Sequence, residues 1–185
     1  MTTIGYLVGS ISSTSVNREY AKALANLAPE GVRLVEISIA ELPFYSPDYD
    51  ADYPLVAQNF KQAIADVDGV LIVTPEYSRS IPGVLKNALD WAARPWGQNA
   101  FDGKPVAITG ASIGSIGTAA AQQHLRGILG NLNAATLGQP ETFVHATEGL
   151  LADGRVTDEG LAEYLRGFLG AFADLIRRVQ GSRAA

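Results

Sequence analysis

The feature that most constrains the fold is an alternation of short, almost wholly apolar segments with longer segments of helical periodicity. The apolar segments are rich in β-branched residues and predict strands at residues 3–8, 32–37, 70–74 and 106–109, with a weaker one near 141–145. Helical periodicity predicts helices at residues 15–27, 54–66, 82–93, 115–132 and 157–179. Strands that are apolar on both faces are typical of a parallel sheet covered by helices on both sides.

Five strand–helix units in 185 residues predict an α/β protein, with an open, doubly wound sheet inside a three-layer α/β/α sandwich. A TIM barrel is excluded because it needs eight such units. No repeat, linker or break in composition divides the sequence, so residues 1–185 are interpreted as one domain with a frayed tail from about residue 181. Ligands of such sheets bind beyond the carboxyl ends of the strands.

Composition excludes several classes of protein. A net charge of −5 argues against a general partner of nucleic acid or of anionic membranes, and no apolar run reaches membrane-spanning length. The lack of cysteine excludes disulfides, thiolate metal sites and a cysteine nucleophile. Together with an N-terminus that lacks a signal-peptide pattern, it favours the cytoplasm.

We expect no metal site. His124 and His145 have no partner at metal-ligand spacing and are interpreted as structural. The segment SPDYDADY begins like a calcium loop, but Tyr53 replaces the required glycine and Asn59 the required glutamate. We interpret this segment as an acidic surface loop.

Three loops at predicted strand ends are chemically unusual, namely GSISSTSVN, TPEYSRSIPG and GASIGSIG. The first places five hydroxyl side chains within residues 9–17, directly before a helix. Short hydroxyl donors at a helix N-terminus suit a phosphate group, although helix capping by Ser15 or Asn17 is an alternative. The Walker lysine and the G-x-G-x-x-G pattern are missing and Arg18 is the nearest cation, which favours a monophosphate held by neutral donors.

The second loop suits a flat ring. Pro75 and Pro82 bracket a rigid excursion with Tyr77 near its tip, and the main chain of Glu76, Tyr77 and Ser78 is placed to meet the polar edge of such a ring. In the alternative interpretation, Tyr77 only covers the end of the sheet.

The third loop brings a competing hypothesis. Residues 110–114 match G-x-S-x-G, the nucleophile elbow of α/β-hydrolases, with Ser112 as the nucleophile. No acid separates Ser112 from His124, and only Glu141 precedes His145, four residues away. A serine hydrolase is therefore kept only as a remote alternative.

The loop GSISSTSVN and the segments TPEYSRSIPGVLKNALDWAAR, GKPVAITGASIG and QHLRGIL resemble, in this order, the NADPH-dependent FMN reductase family, chromate- and quinone-reducing branch. The resemblance runs over roughly residues 4–179, and the T-P-E-Y segment is its most specific part. It implies a flavodoxin-like fold with a five-stranded parallel sheet of order 2-1-3-4-5 and non-covalently bound FMN.

The resemblance also implies site residues. Those for the cofactor are Ser10, Ser12, Ser15, Val16 and Asn17 around the phosphate, and Pro75, Glu76, Tyr77, Ser78, Ser112 and Gly114 around the ring. Tyr77, Arg94 and Ile113 are assigned to the substrate, with pairing to an acid as the alternative for Arg94. Two positions depart from the family, since relatives often carry arginine where this chain has Ser12 and usually carry asparagine where it has Ser78.

The implied activity is an FMN-dependent NAD(P)H:acceptor oxidoreductase that reduces quinones, and also chromate or ferric complexes, by two electrons in ping-pong kinetics. NADPH or NADH is the co-substrate, and no acid–base side chain is required, so no catalytic residue is assigned. In related enzymes the dimer interface forms part of the flavin pocket, which implies a homodimer or a dimer of dimers. An electron carrier or redox-sensing protein of the same fold is the alternative, and it would not be reduced by nicotinamide alone.

Overall fold

The structure, a computed structural model, describes residues 1–184, with the side chains of residues 1–182. Its elements are, in order, β1 (Thr2–Val8), α1 (Val16–Asn26), β2 (Val32–Glu36), a 3₁₀ turn (Pro47–Tyr49), α2 (Leu55–Ala65), β3 (Gly69–Val73), α3 (Gly83–Ala93), β4 (Pro105–Ser112), α4 (Ala119–Asn131), β5 (Ala135–Thr136), β6 (Phe143–His145), β7 (Leu151–Ala152), β8 (Arg155–Val156) and α5 (Glu159–Ala184). Among these helices, none has both the length and the hydrophobicity needed to cross a membrane.

The central sheet has the strand order β2-β1-β3-β4-β5, and its pairings are parallel. The predicted fold, a parallel sheet of order 2-1-3-4-5, is thereby confirmed. The fifth strand position of the sheet is occupied by two short strands, because β5 pairs with the start of β4 and β6 pairs with its end. The sequence predicted only β6, near residues 141–145. It did not predict β5, because Gly138 and Pro140 separate the two strands and β5 has only two residues.

Helices cover both faces of the sheet. Helices α2, α3 and α4 pack on one face against side chains that include Leu7 and Ile72, and α1 and α5 pack on the other against Ile4 and Leu71. Successive side chains of a strand point to opposite faces, which explains why the neighbours Leu71 and Ile72 pack against helices on opposite sides of the sheet. All five residues of β3 are buried. The three-layer α/β/α sandwich follows from this packing.

The hairpin formed by β7 and β8 was not predicted from the sequence. Each strand has only two residues, too few to show periodicity. A signal was nevertheless present, because Asp153 and Gly154 form the connecting turn with φ of 50° and 69°. An Asp-Gly pair is a strong short-range indication of a two-residue hairpin turn.

Two helix ends differ from the predicted positions by more than two residues. Helix α4 begins at Ala119 instead of residue 115, because Gly117 adopts φ of 64° and packs against Phe143. Helix α5 continues through residues 181–184, where a frayed tail was predicted, and residue 185 lies outside the described residues.

Candidate functional site

The loops after β1, β3 and β4 meet at the carboxyl edge of the sheet and enclose an open cleft of about 270 Å³. Its wall is formed by Ser10, Ser12, Thr14, Ser15, Val16, Asn17, Pro75, Glu76, Tyr77, Ala111, Ser112 and Ile113. Thr14 and Ala111 were not assigned to the site from the sequence, although Thr14 belongs to the hydroxyl-rich loop. Ser78, Gly114 and Arg94, which were assigned to it, lie outside this wall.

Hydroxyl groups organise the first loop, which we call the serine loop (residues 9–15). Ser10 Oγ accepts a hydrogen bond from the Ser12 N–H at 3.2 Å, and Ser12 Oγ accepts one from the Thr14 N–H at 3.2 Å. Ser15 caps helix α1, since its Oγ accepts from the Arg18 N–H at 3.3 Å. A hydroxyl that accepts an amide hydrogen keeps its own O–H to donate. The loop is therefore ordered by bonds that leave hydroxyl donors for an anion.

The start of helix α1 adds main-chain donors. The first i→i−4 bond of the helix runs from the Glu19 N–H to Ser15 O, so the N–H groups of Val16 and Asn17 precede the helical ladder. Arg18 forms an ion pair with Glu36 and donates to Ser10 O at 3.5 Å. Because Arg18 is paired with an acid, the donors that line the cleft at this end are hydroxyl and amide groups.

The Asn17 side chain bonds to the protein main chain, whereas the family resemblance assigned it to the phosphate. Its Nδ2 donates to Ala111 O at 2.8 Å, and the Ala111 N–H donates to its Oδ1 at 2.9 Å. The residue is only 2% exposed. The side chain expected near a phosphate thus holds the end of β4 against helix α1.

The second loop (residues 75–82) contains a tight turn. The Tyr77 N–H donates to Ser80 O at 3.0 Å and the Ser80 N–H donates to Tyr77 O at 2.9 Å, while Ser78 and Arg79 adopt φ of 52° and 62°. Two consecutive positive φ values define a type I′ turn, which favours asparagine and glycine. The presence of serine at position 78, where the family usually has asparagine, therefore affects the stability of this turn.

The turn presents Tyr77 at the cleft with about half of the residue, 52%, exposed. The exposed apolar residue Ile113 lines the cleft from the third loop. An exposed aromatic ring and an aliphatic side chain provide apolar surface beside the donors of the serine loop.

Glu76 links the second loop to helix α4. Its carboxylate accepts a hydrogen bond from the Ala121 N–H at 3.1 Å and pairs with Arg79 at 3.3 Å, and its side chain is only 7% exposed. Thr118, the residue before α4, makes no side-chain capping bond. Glu76 therefore caps α4 from a different loop, and its carboxylate is occupied by these two contacts.

The third loop is packed closely against the second. A Cβ atom on Gly110 would lie 2.1 Å from Thr74 O, so the absence of a side chain permits contact between strand ends. The small size of this residue thus serves packing within the protein. Ser112 Oγ accepts from the Gly114 N–H at 3.1 Å, which orders the loop beside Ile113.

The hydrolase hypothesis is not supported by the histidines. His145 lies beside Ser112 in the strand register, but its Nε2 is 3.1 Å from Ile113 O. His124 Nδ1 is 3.0 Å from Ser80 Oγ. A serine nucleophile needs a histidine bonded to its own Oγ, and Ser112 Oγ instead accepts from an amide.

Arg94 ends helix α3 and is separated from the cleft in the single chain. Its guanidinium forms an ion pair with Asp50 and donates to Tyr45 Oη at 2.9 Å, and the hydrogen bond with Asp50 raises the pKa of Arg94. Trp91, one turn earlier, is fully buried against the edges of tyrosine rings, whereas Trp96 is 88% exposed.

The fold and the cleft together define the class of protein. An open parallel sheet of order 2-1-3-4-5, with a hydroxyl-rich loop and an apolar surface at the carboxyl ends of its strands, is a flavodoxin-like domain. Residues 2–149 match the family described as NADPH-dependent FMN reductase. The chain belongs to this family.

Similar proteins span nearly the full chain. A 2-hydroxy-1,4-benzoquinone reductase from a Burkholderia species is 51% identical over 175 residues, covering 94% of this chain and 96% of the relative. A quinone reductase from Escherichia coli K12 is 38% identical over 179 residues, covering 94% and 95%. Among solved structures, FerB, a flavoenzyme NAD(P)H:(acceptor) oxidoreductase from Paracoccus denitrificans, has a TM-score of 0.91 at 40% identity, covering 96% of this chain and 98% of FerB.

The donors of the cleft fit FMN. Hydroxyl and amide groups of residues 10–17 suit the phosphate, which needs hydrogen-bond donors at a helix N-terminus. The main chain of Glu76 and Tyr77 and the side chains of Tyr77 and Ile113 offer the polar and apolar contacts that an isoalloxazine requires.

Proposed function

We propose that this protein is an FMN-dependent NAD(P)H:quinone oxidoreductase with ping-pong kinetics. The observation that carries the proposal is the single cleft in which phosphate-type donors of the serine loop lie beside the exposed Tyr77 and Ile113. FMN supplies the two-electron redox chemistry when bound. NADPH or NADH and then the acceptor occupy the same open side of the cleft in turn.

The residues of the chain bind and orient. Ser10, Ser12, Ser15, Val16 and the main chain of Asn17 form the phosphate end, and Pro75, Glu76, Tyr77 and Ser112 line the ring end. Ser78 and Gly114 lie outside the wall of the cleft and support the two loops of the ring end. Tyr77 and Ile113 border the substrate. We assign no general acid or base, because a hydride acceptor needs orientation and exclusion of water more than proton transfer by a side chain.

The proposed acceptors are quinones, hydroxy-substituted benzoquinones first, since that class is named for the 51% identical relative. Chromate and ferric complexes are further proposed acceptors, because an exposed reduced flavin transfers electrons to many oxidants. We place the activity in the cytoplasm, where NADPH and NADH are available.

Purified protein tests this proposal directly. We expect a yellow protein with bound FMN that NADPH or NADH bleaches without any partner protein, and that 2-hydroxy-1,4-benzoquinone reoxidises. Stopped-flow absorbance of the two half-reactions would compare the two nucleotides. Failure to bind added FMN would refute the proposal, and flavin binding without reduction by nicotinamide would favour an electron carrier.

We further propose a homodimer, or a dimer of dimers, built on the groove between α3 and α4. This groove, of about 800 Å³, is lined by Ser80, Ile81, Gly83, Lys86, Leu89, Asp90, Ala93, His124, Gly127, Ile128, Asn131 and Leu132. In a two-fold symmetric interface the same surface of each copy contacts its equivalent on the other copy. Two α3 helices that pack across such an interface run antiparallel when the two-fold axis is perpendicular to them. The start of α3 near Tyr77 then meets the end of the partner's α3, and Arg94 of one copy borders the acceptor in the other.

Sedimentation velocity tests the interface. Gly127 is exposed in the groove with open space at its Cβ position, and Gly127→Arg is expected to yield monomers. Gly167→Arg, at an exposed glycine of α5 with equally open space, is the control and should leave the assembly unchanged. Equal sedimentation of both variants and the wild type would contradict this interface.

A further inference from the structure

Asn17 makes the same pair of bonds to β4 that a neighbouring strand would make. On the side of β4 that faces β3, strand pairing ends at Thr109, where the Thr74 N–H donates to Thr109 O at 2.9 Å. Two residues farther along, the Asn17 amide both donates to and accepts from the main chain of Ala111, at 2.8 and 2.9 Å. On the opposite side, Ala111 is paired with Val144 of β6. The side chain of Asn17 therefore takes the place of the missing β3 residue.

This contact joins two parts of the cleft that meet different ends of a nucleotide. Ser15 and Val16, directly before Asn17, line the phosphate end of the cleft. Ser112 and Ile113, directly after Ala111, line the ring end. Asn17 and Ala111 are 2% and 1% exposed, so the contact lies in a dry environment where a lost hydrogen bond is costly.

We propose that Asn17 is a positioning residue of the flavin site, which holds the ring-binding third loop in register with the serine loop. The proposal rests on the proposed function, because it takes FMN as the ligand. It changes the role that the family resemblance gave to this side chain. A side chain that binds the phosphate affects only the affinity for the phosphate group. A residue that positions Ser112 and Ile113 affects the binding of the ring as well.

The two roles predict different results for flavins with and without the phosphate. Flavin-free protein is titrated with FMN and with riboflavin, and dissociation constants are obtained from the quenching of flavin fluorescence. For Asn17→Ala we expect both constants to rise by the same factor, on the order of 10-fold, so that the ratio between FMN and riboflavin is unchanged. A rise for FMN alone would overturn the proposal, since it would identify a phosphate ligand.

A matched control separates positioning from general loss of stability. Tyr20, one turn farther along α1, also joins this helix to β4, because its Oη is 2.9 Å from Thr109 Oγ1, but it does not line the cleft. Tyr20→Phe is expected to lower the thermal midpoint and leave both dissociation constants unchanged. If Tyr20→Phe weakens flavin binding as much as Asn17→Ala does, the effect of Asn17 is merely structural and the proposal fails.

A measurement on the wild-type protein covers the case in which Asn17→Ala does not fold. Inorganic phosphate is added to flavin-free, ¹⁵N-labelled protein, and the main-chain amide of Val16 and the side-chain amide of Asn17 are followed by NMR. We expect the Val16 resonance to move and the Asn17 Nδ2 resonances to stay in place. Movement of the Nδ2 resonances with the same dissociation constant as Val16 would overturn the proposal. Absence of FMN binding by the wild-type protein would instead refute the proposed function.

Discussion

The serine loop and the second loop border the same cleft but are held in different ways. The serine loop is ordered by neutral hydroxyl–amide bonds between near neighbours in sequence. The second loop is ordered by a nearly buried carboxylate, Glu76, that reaches helix α4, and by a turn with two positive φ values. Short local bonds leave donors available for a ligand, whereas the long-range contact fixes a main chain in place. The first arrangement suits recognition of an anion and the second suits support of a rigid ring.

The largest expected effect tests the phosphate end. Ser15→Ala removes a hydroxyl donor, and we expect FMN to bind about 10-fold more weakly or worse, because a hydrogen bond to a charged group contributes about 1.5–3 kcal/mol. Riboflavin should bind as it does to the wild type. Ser13→Ala is the control, since Ser13 is exposed and does not line this cleft. An equal loss for FMN and riboflavin would remove the distinction between the two loops.

The second prediction tests the carboxylate at the ring end. Glu76→Ala should lower the free energy of unfolding of the flavin-free protein by about 1–2 kcal/mol, because α4 loses its cap. Glu76→Gln should lose less, since its amide oxygen still accepts from the Ala121 N–H. Urea denaturation measures both variants. Glu163→Ala, which breaks an exposed ion pair with Arg166, is the control and should change little; an equal effect of both alanine variants would contradict the capping role.

A pH-dependent prediction concerns the contact between α1 and β4 behind the serine loop. Burial raises the pKa of Tyr20 above its ordinary value of 10.0. The protonated hydroxyl therefore stabilises the fold below pH 10, and this contribution is lost as the pH rises above the unfolded-state pKa. We expect Tyr20→Phe to be about 1 kcal/mol less stable than the wild type at about pH 8 and nearly equal to it at about pH 11. Urea denaturation at both pH values measures the difference, and a constant difference would contradict a buried, protonated Tyr20.

Much of this architecture was predictable because it depends on local patterns. Apolar strands and periodic helices place GSISSTSVN, TPEYSRSIPG and GASIGSIG at one edge of a parallel sheet, and the structure brings these loops together there. The partner of a side chain was not predictable in the same way. Asn17 bonds a residue 94 positions away, and Glu76 one that is 45 positions away. No local pattern encodes such contacts, because they depend on how two loops pack.

Ser78 shows how a departure from a family pattern gains meaning from backbone geometry. From the sequence, Ser78 was only a serine at a position where relatives usually carry asparagine. In the structure Ser78 lies outside the wall of the cleft and occupies the first central position of a type I′ turn, with φ of 52°. Asparagine, usual at this position in the family, tolerates the left-handed region better than serine does.

The smallest expected effect follows from this geometry. Ser78→Asn should raise the free energy of unfolding by about 0.5 kcal/mol, because asparagine adopts a positive φ at lower cost. The turn lies in the second loop, so FMN affinity should stay equal or increase slightly, and the ratio of FMN to riboflavin binding should not change. Ser78→Ala is the control and should bring no gain, since alanine does not share the preference of asparagine for this region. Urea denaturation of the three proteins in parallel measures the difference. If Ser78→Asn is no more stable than Ser78→Ala, the positive φ of this turn is not what distinguishes the second loop, and its order must come from Glu76 alone.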